Sequence, residues 1–441
     1  MTLRSVATLA SAFLVTTAMT AAIVAAPATA SDLDSAASSS TDPDADWTSA
    51  WGTSVQPPYD DAGSESNWSD TGFENQTVRQ VVRLGNGGES LRIRISNAYG
   101  DRPLHLAGAT VARTEDGAAV DGDSVRRLEF DERKSTVIAP GKQRYSDPVA
   151  LPTEPLESVT VTFWLERATG PATYHSLAYA TSFRAEGDRL RNTDGTGFDD
   201  TSTSWYYLNG VEVAGASNPD AVVALGDSIT DGVVSQVDAN NRWPDELTER
   251  LAETDSPMAV VNAGISGNRL LNPSPCFGDT AADRFERDVL SRPGVATLIV
   301  LEGINDLGHS EQTGPCVEPN PEATADQLIE AHQELIDRAH AEGIQVVGAT
   351  LLPYRGADYF TERGERERQQ LNTWIRESGA YDAVVDFDRA VADPEHPDQM
   401  DPAYDSGDGL HPNEAGMRAM ANAVDLSVLS TGTGMRFVGY D

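Results

Sequence analysis

Between Asp46 and Pro219 apolar and polar positions alternate in short runs. Leu91-Arg92-Ile93-Arg94-Ile95 has a period of two, the pattern of a half-buried strand. Val78 to Leu84 forms a similar run before it, and Gly85-Asn86-Gly87-Gly88 between the two predicts a hairpin turn. Further strands are predicted at Leu104–Ala112, Val137–Ile138, Val159–Leu165 and Tyr206–Val213, set apart by Gly, Asp and Pro clusters. Many short strands with no long helical pattern predict an all-β sandwich or jelly roll over residues 46–219.

At Ala221 the rhythm changes. Short apolar runs recur at Ala221–Leu225, Ala259–Asn262, Ala296–Leu301, Gln345–Thr350 and Ala383–Phe387. Helical patterns lie between them, including Arg242–Ala252, Thr324–Glu342 and Gly364–Glu377. Alternating strand and helix over residues 220–441 predict an α/β domain, a parallel sheet covered on both faces. Such sheets carry their chemistry in loops beyond the carboxyl ends of the strands.

Length and composition adjust this picture at the ends and on the surface. A chain of 441 residues fits two domains. Before them, Arg4, an apolar small-residue stretch and Ala28-Thr29-Ala30 read as a signal peptide over 1–30, cleaved near Ala30. Ala and Thr dilute the stretch too much for a membrane anchor, and Ser31 rather than Cys follows the cut, so no lipid anchor is expected. Residues 31–45 read as a disordered linker. The net charge of −37, with Lys134 and Lys142 the only lysines, excludes nucleic acid and anionic membranes as partners. It fits either salt tolerance or a merely acidic exported protein, and it predicts no oligomeric state. Two cysteines, Cys276 and Cys316, predict a disulfide in an exported protein. Closing a loop of about 40 residues stabilises by about 4 kcal/mol in the chain-entropy model. Two cysteines make a poor metal site, and no cofactor is expected.

Four loops carry candidate chemistry. The first predicted strand runs into Gly226-Asp227-Ser228-Ile229-Thr230, where a serine in a strand-to-helix turn exposes its hydroxyl. The second ends in Asn262-Ala263-Gly264, followed by Ile265-Ser266-Gly267-Asn268, and a glycine there lets backbone approach a ligand. The third ends in Glu302-Gly303-Ile304-Asn305-Asp306, and Asp408-Gly409-Leu410-His411-Pro412-Asn413 precedes a late helix. Together they fit ester cleavage by serine. Ser228 is the nucleophile, His411 the base, and Asp408 the carboxylate that orients it. The N–H groups of Ser228 and Gly264 and the Asn305 amide are the oxyanion donors.

Set out in this order, the residues resemble the SGNH (GDSL-type) hydrolases. Gly226-Asp227-Ser228 is similar to the family's first block, and Gly264 sits as in its second. Gly303-Ile304-Asn305-Asp306 resembles the third block, and Asp408-Gly409-Leu410-His411-Pro412 the fifth. Ile229 stands where many members have Leu. The resemblance spans about Ala221 to Leu429 and implies a flavodoxin-like α/β/α sheet with metal-free acyl-ester hydrolysis. The β-rich half resembles the N-terminal domain of a secreted actinobacterial subgroup.

Other readings compete residue by residue. Ser266 is a rival nucleophile, although a loop or cap role suits it as well. No G-x-S-x-G elbow is present. Asp227 and Asp306 are expected to brace loops. His332 and His340 are expected to face solvent from a helix, and His105, His175 and His396 have no chemical context. His309, four residues beyond Asn305, is a possible lining residue. Trp164, Trp205, Tyr206 and Tyr207 form either a sugar-stacking platform or core. The leading function is a carboxylic ester hydrolase acting on acetylated polysaccharide or on short to medium acyl lipids. A glycan-binding protein with a degenerate hydrolase domain, and an acyltransferase or peptidase using the same triad, are the alternatives.

Overall fold

The computed structural model describes residues 46–59, 67–310 and 312–429. The expected signal peptide and the 31–45 linker lie outside the described residues.

The N-terminal alternation resolves into two antiparallel sheets. One has the order Trp47–Gly52, Leu208–Ala214, Gly88–Asn97, Val149–Thr153, with Lys142–Tyr145 also paired to Gly88–Asn97. The other runs Asp200–Ser202, Ser182–Glu186, Gln76–Arg83, Ser158–Leu165, Gly108–Asp116, Ala119–Val120, with Arg126–Leu128 paired to Gly108–Asp116. Their inner faces share one core, in which Leu91, Ile93 and Ile95 meet Val159, Val161, Phe163 and Leu165. Alternate positions point inward, as a period of two requires.

The predicted hairpin does not form. Gln76–Arg83 pairs with Ser158–Leu165 and Ser182–Glu186, whereas Gly88–Asn97 belongs to the other sheet. Gly85-Asn86-Gly87 instead carries the chain from sheet to sheet: Gly85 N–H donates to Ala50 O at 2.7 Å and Asn86 Nδ2 to Asn218 O at 3.0 Å. A side chain at Gly85 would lie 2.8 Å from Ala259 Cα, so close packing on the second domain demands the glycine. Two predicted strands are each broken in two. Leu104–Ala112 divides into Leu104–Leu106 and Gly108–Asp116, and Tyr206–Val213 divides at Tyr207, which has a φ of 60°.

The second half is a five-stranded parallel sheet. Its strands are β1 (Ala221–Gly226), β2 (Ala259–Gly264), β3 (Val295–Leu301), β4 (Gln345–Ala349) and β5 (Ala383–Val385), in the order β2-β1-β3-β4-β5. This is flavodoxin-like winding, which reverses beside β1 and opens a crevice at the carboxyl ends there. Val222, Val223, Ala224 and Leu225 are all buried, as a strand covered on both faces requires. Helices Trp243–Ala252, Ala325–Ala341, Glu362–Glu377 and Glu414–Ala423 pack around the sheet. Side-chain caps start several of them: Thr324 with Gln327 in a capping box, Thr361 on the Gly364 N–H, and Asn413 on the Gly416 N–H. Among the described residues no helix is long and apolar enough to cross a membrane.

Polar groups join the two halves. Arg94 lies on the outward face of its strand yet is fully buried, donating to Ser291 Oγ at 2.6 Å. Arg292 donates to Asn209 O and Thr53 O, both at 2.6 Å. Thr53 extends the first strand to form a parallel bridge with Asn262 in β2. Cys276 and Cys316 are bridged, with Cα atoms 5.3 Å apart, and tie the loop after β2 to the loop beyond Asn305.

Candidate active site

β1 ends at Gly226, where a side chain would strike Thr230 Oγ1 at 2.1 Å. Asp227 then caps the short helix Ser228–Asp231, its Oδ1 accepting the Ile229 N–H at 2.9 Å. Ser228 is thereby the first residue of a helix, with its own N–H in no hydrogen bond among the described residues. The residue is 5% exposed, at the carboxyl end of the sheet.

The loop before Glu414–Ala423 brings the second group. Asp408 Oδ1 accepts the N–H of Leu410 at 2.9 Å and of His411 at 2.8 Å. The other oxygen faces His411 Nδ1 at 2.6 Å, and His411 Nε2 lies 2.9 Å from Ser228 Oγ. A carboxylate only accepts, so Nδ1 carries the hydrogen and the bare Nε2 faces the serine hydroxyl. Burial alone would raise the Asp408 carboxyl. The His411 hydrogen bonds, the Leu410 N–H and the nearby imidazole charge outweigh burial and hold it below the ordinary carboxylate range. Gly409, at φ 71°, lets this loop pass against the Gly356 backbone.

One of the expected oxyanion donors is already engaged. The N–H of Gly264 is not free, because it donates to Asn262 Oδ1 at 2.9 Å. Gly264 is needed for another reason: a Cβ there would lie 2.2 Å from Asp231 N. Three residues on, Gly267 has a φ of 76°, and its N–H makes no hydrogen bond among the described residues. The Phe277 ring occupies the place of a side chain there. Asn305 is anchored on both sides. Its Nδ2 donates to Asn268 O at 3.1 Å and its Oδ1 accepts from Tyr359 OH at 3.3 Å, which fixes the amide orientation and leaves one N–H over.

A charged floor underlies these loops. Arg284, fully buried, donates to Gly226 O (3.1 Å), Ala263 O (2.7 Å), Asn268 Oδ1 (3.0 Å) and Ser54 Oγ (3.0 Å), and pairs with Glu302 at 3.3 Å. It thus fastens the ends of β1 and β2 and the start of the Asn305 loop with one guanidinium. Sequence reasoning passed over Arg284, although its spacing with Ala281, Phe285 and Asp288 places it on the inner helical face. Burial raises Asp227 to about 7, against the lowering effect of the Ile229 N–H and His411. Burial and Asp227 together push Glu302 well up. Asp306 is raised by burial to about 6, although its oxygens accept the Leu270 and Leu271 N–H groups at 2.9 Å each. Those bonds make Asp306 a brace for the loop.

Two histidines, His332 and His175, differ from their sequence reading. His332 is 1% exposed rather than solvent-facing, because it shares the inner helical stripe with Leu328, Leu335 and Ala339. It donates to Glu302 O at 3.2 Å and accepts from Tyr381 OH at 2.6 Å, and burial lowers it to about 4. His175 does have chemical context, lying 3.0 Å from the Asp231 carboxylate. His309 stacks on Phe277 at 5.7 Å with Nδ1 2.8 Å from Gln312 Oε1, and burial lowers its pKa. His340 stays on the surface beside Asp382. Ser266 Oγ donates to Asp231, with no imidazole at hydrogen-bond distance among the described residues. Trp205, Tyr206 and Tyr207 are core, so no stacking platform forms from them.

Beside His411 opens a cleft of about 320 Å³ lined by Gly356, Asp358, Tyr359, Gly407, Asp408 and Leu410. Among the described residues no group of three or more His, Cys, Asp or Glu side chains could hold a metal. Residues 224–419, from within β1 to within the last helix, match the family model of GDSL-like lipases and acylhydrolases. This half of the chain is a GDSL-like acylhydrolase domain. The protein is accordingly a carboxylic ester hydrolase. The acylhydrolase is similar to a variant of Axe2, an acetyl xylan esterase from Geobacillus stearothermophilus, at 20% identity and a TM-score of 0.37, over 47% of this chain and 93% of that one. It is similar also to a GDSL-like lipase from Bacteroides thetaiotaomicron at 20% identity and a TM-score of 0.35, over 47% and 87% of the two chains. No curated protein matches the sequence.

Proposed function

We propose that this acylhydrolase cleaves esters through an acyl-enzyme formed on Ser228. The observation that carries the reading is the unbroken line from Ser228 Oγ to His411 Nε2 (2.9 Å) and from His411 Nδ1 to Asp408 (2.6 Å). His411 takes the hydroxyl proton as Oγ attacks the carbonyl carbon. Asp408 keeps the imidazole in one tautomer and stabilises the imidazolium that forms. The oxyanion is met by the N–H groups of Ser228 and Gly267 and the remaining Asn305 amide hydrogen, each donor being worth about 3–4 kcal/mol of barrier. The alcohol then leaves with the proton from His411, and water repeats the sequence to release the acid.

The cleft beside His411 supports a polar leaving group. Glycine backbone and the Asp358 and Asp408 carboxylates offer partners to hydroxyls, which favours small acyl groups on carbohydrate over lipid esters. The leader-like N-terminus and the bridged cysteines support export.

The test is hydrolysis of p-nitrophenyl acetate by wild type and Ser228→Ala, beside acetylated xylan and a p-nitrophenyl chain-length series. Loss of nearly all activity in the variant is expected, with acetyl preferred over octanoyl. Equal rates for the two proteins would overturn the nucleophile, and octanoyl preference would overturn the substrate class.

A further inference from the structure

One residue of the sandwich reaches the catalytic loops. Tyr174–His175 pairs with Trp205–Tyr206, and the His175 ring stacks on Trp205 at 5.6 Å. From there, 3% exposed, it faces the other domain. Nδ1 lies 2.9 Å from Ser54 O and Nε2 lies 3.0 Å from Asp231 Oδ1. Both oxygens only accept, so the ring serves as a donor from each nitrogen.

Asp231 ends the helix that Ser228 begins. Its other oxygen accepts both the N–H and the Oγ–H of Ser266 at 2.8 Å. Ser266 immediately precedes Gly267. The carboxylate therefore ties the helix bearing the Ser228 N–H to the loop bearing the Gly267 N–H, and His175 holds that carboxylate from outside. Asn262 adds a second tie, donating to Thr230 O at 2.7 Å.

We infer that His175 is a positioning residue for the oxyanion hole, making the sandwich a working part of the hydrolase and not a detachable binding module. The inference rests on the proposed assignment of that hole. With the His175 donor gone, the buried carboxylate lacks one of its partners and turns to find another. It takes with it the spacing between the two backbone donors, which the reaction reads as a rate. Substrate affinity, set in the cleft beside His411, is left largely alone.

The two nitrogens can be tested separately, because glutamine places an amide near the former Nε2 and asparagine near the former Nδ1. Steady-state kinetics with p-nitrophenyl acetate, active sites counted with a serine-directed phosphonate, and thermal unfolding are measured for wild type, His175→Gln, His175→Asn and Ser228→Ala. For His175→Asn, kcat per titrated site is expected to fall about 10- to 100-fold with KM within about twofold, in line with the cost of a 1 Å misplacement. His175→Gln, which keeps a donor for Asp231, is expected to recover most of that loss even if both unfold at the same lowered temperature. Wild-type kcat per site in both variants, or an equal loss in both, would overturn the inference. Should His175→Asn fail to fold, Ser266→Ala removes the hydroxyl tie alone. A several-fold fall in kcat at constant KM then supports the inference, and an unchanged kcat refutes it. Full activity in Ser228→Ala would instead remove the assignment beneath it.

Discussion

His411 and Asp408 stand three residues apart in one turn, with Asp408 45% exposed and His411 14%. His175 and Asp231 come from different domains and are 3% and 2% exposed. Both are imidazole–carboxylate pairs, and each ends beside the helix that begins at Ser228. Their surroundings give them different work. The outer pair has one nitrogen turned to the serine hydroxyl and a partly exposed carboxylate, an arrangement that suits proton transfer. The inner pair has both nitrogens on acceptors and no room to exchange partners, which suits a strut. Accessibility of the second nitrogen separates chemistry from architecture here more than the pairing itself.

The contrast is broken most strongly by His411→Ala. Its kcat is expected to drop about 10⁴- to 10⁶-fold, as for removal of a serine hydrolase base, with unfolding free energy changed by under about 1 kcal/mol. A loss of both activity and several kcal/mol would show the outer pair to be a strut as well. Asp408→Asn sharpens the same side. With the carboxylate gone the imidazole can take the wrong tautomer, and a kcat loss of up to about 10⁴-fold is expected at neutral pH. Activity within tenfold of wild type would remove Asp408 from the triad.

The inner pair should answer in stability. His175→Leu leaves a buried carboxylate without its imidazole, and denaturant unfolding should show about 3–5 kcal/mol of destabilisation. A change under 1 kcal/mol would mean that the pair contributes little to holding the domains together.

The smallest effect concerns Asp227, a carboxyl with no imidazole at hydrogen-bond distance. Burial raises it from 3.8 to about 7, so the folded chain holds a proton that the unfolded chain releases. The stability tied to that proton is full below the unfolded value and is lost as pH rises through about 7. Asp227→Asn stays neutral and keeps a carbonyl for the Ile229 N–H. It should melt like wild type at pH 4 and higher by about 2–4 °C at pH 8. Equal melting points at pH 8 would sink this account.

What could be read in advance follows the same division. His411 and Asp408 are close because they are close in sequence, and the parallel strands are legible because burial on both faces leaves continuous apolar runs. The Gly264 N–H that the motif offers is accepted within its own loop by Asn262 Oδ1, a local contact the motif does not reveal. His175 and Arg284 act across domain and loop boundaries, on partners that no periodicity brings together. The missed sheet crossing at Gly85 has the same origin. A Gly-Asn-Gly-Gly run says that the chain turns, while the packing of Ala259 against Gly85 decides where it turns to.

Among the described residues Trp47–Gly52 pairs only with Leu208–Ala214, and its continuation at Thr53 meets Asn262. The first described strand is thus completed by a late strand of the sandwich and by the second strand of the parallel sheet. Contacts this distant in sequence slow the search for the native topology. They also fasten the edge of the hydrolase sheet to the sandwich through the bridge from Thr53 to Asn262.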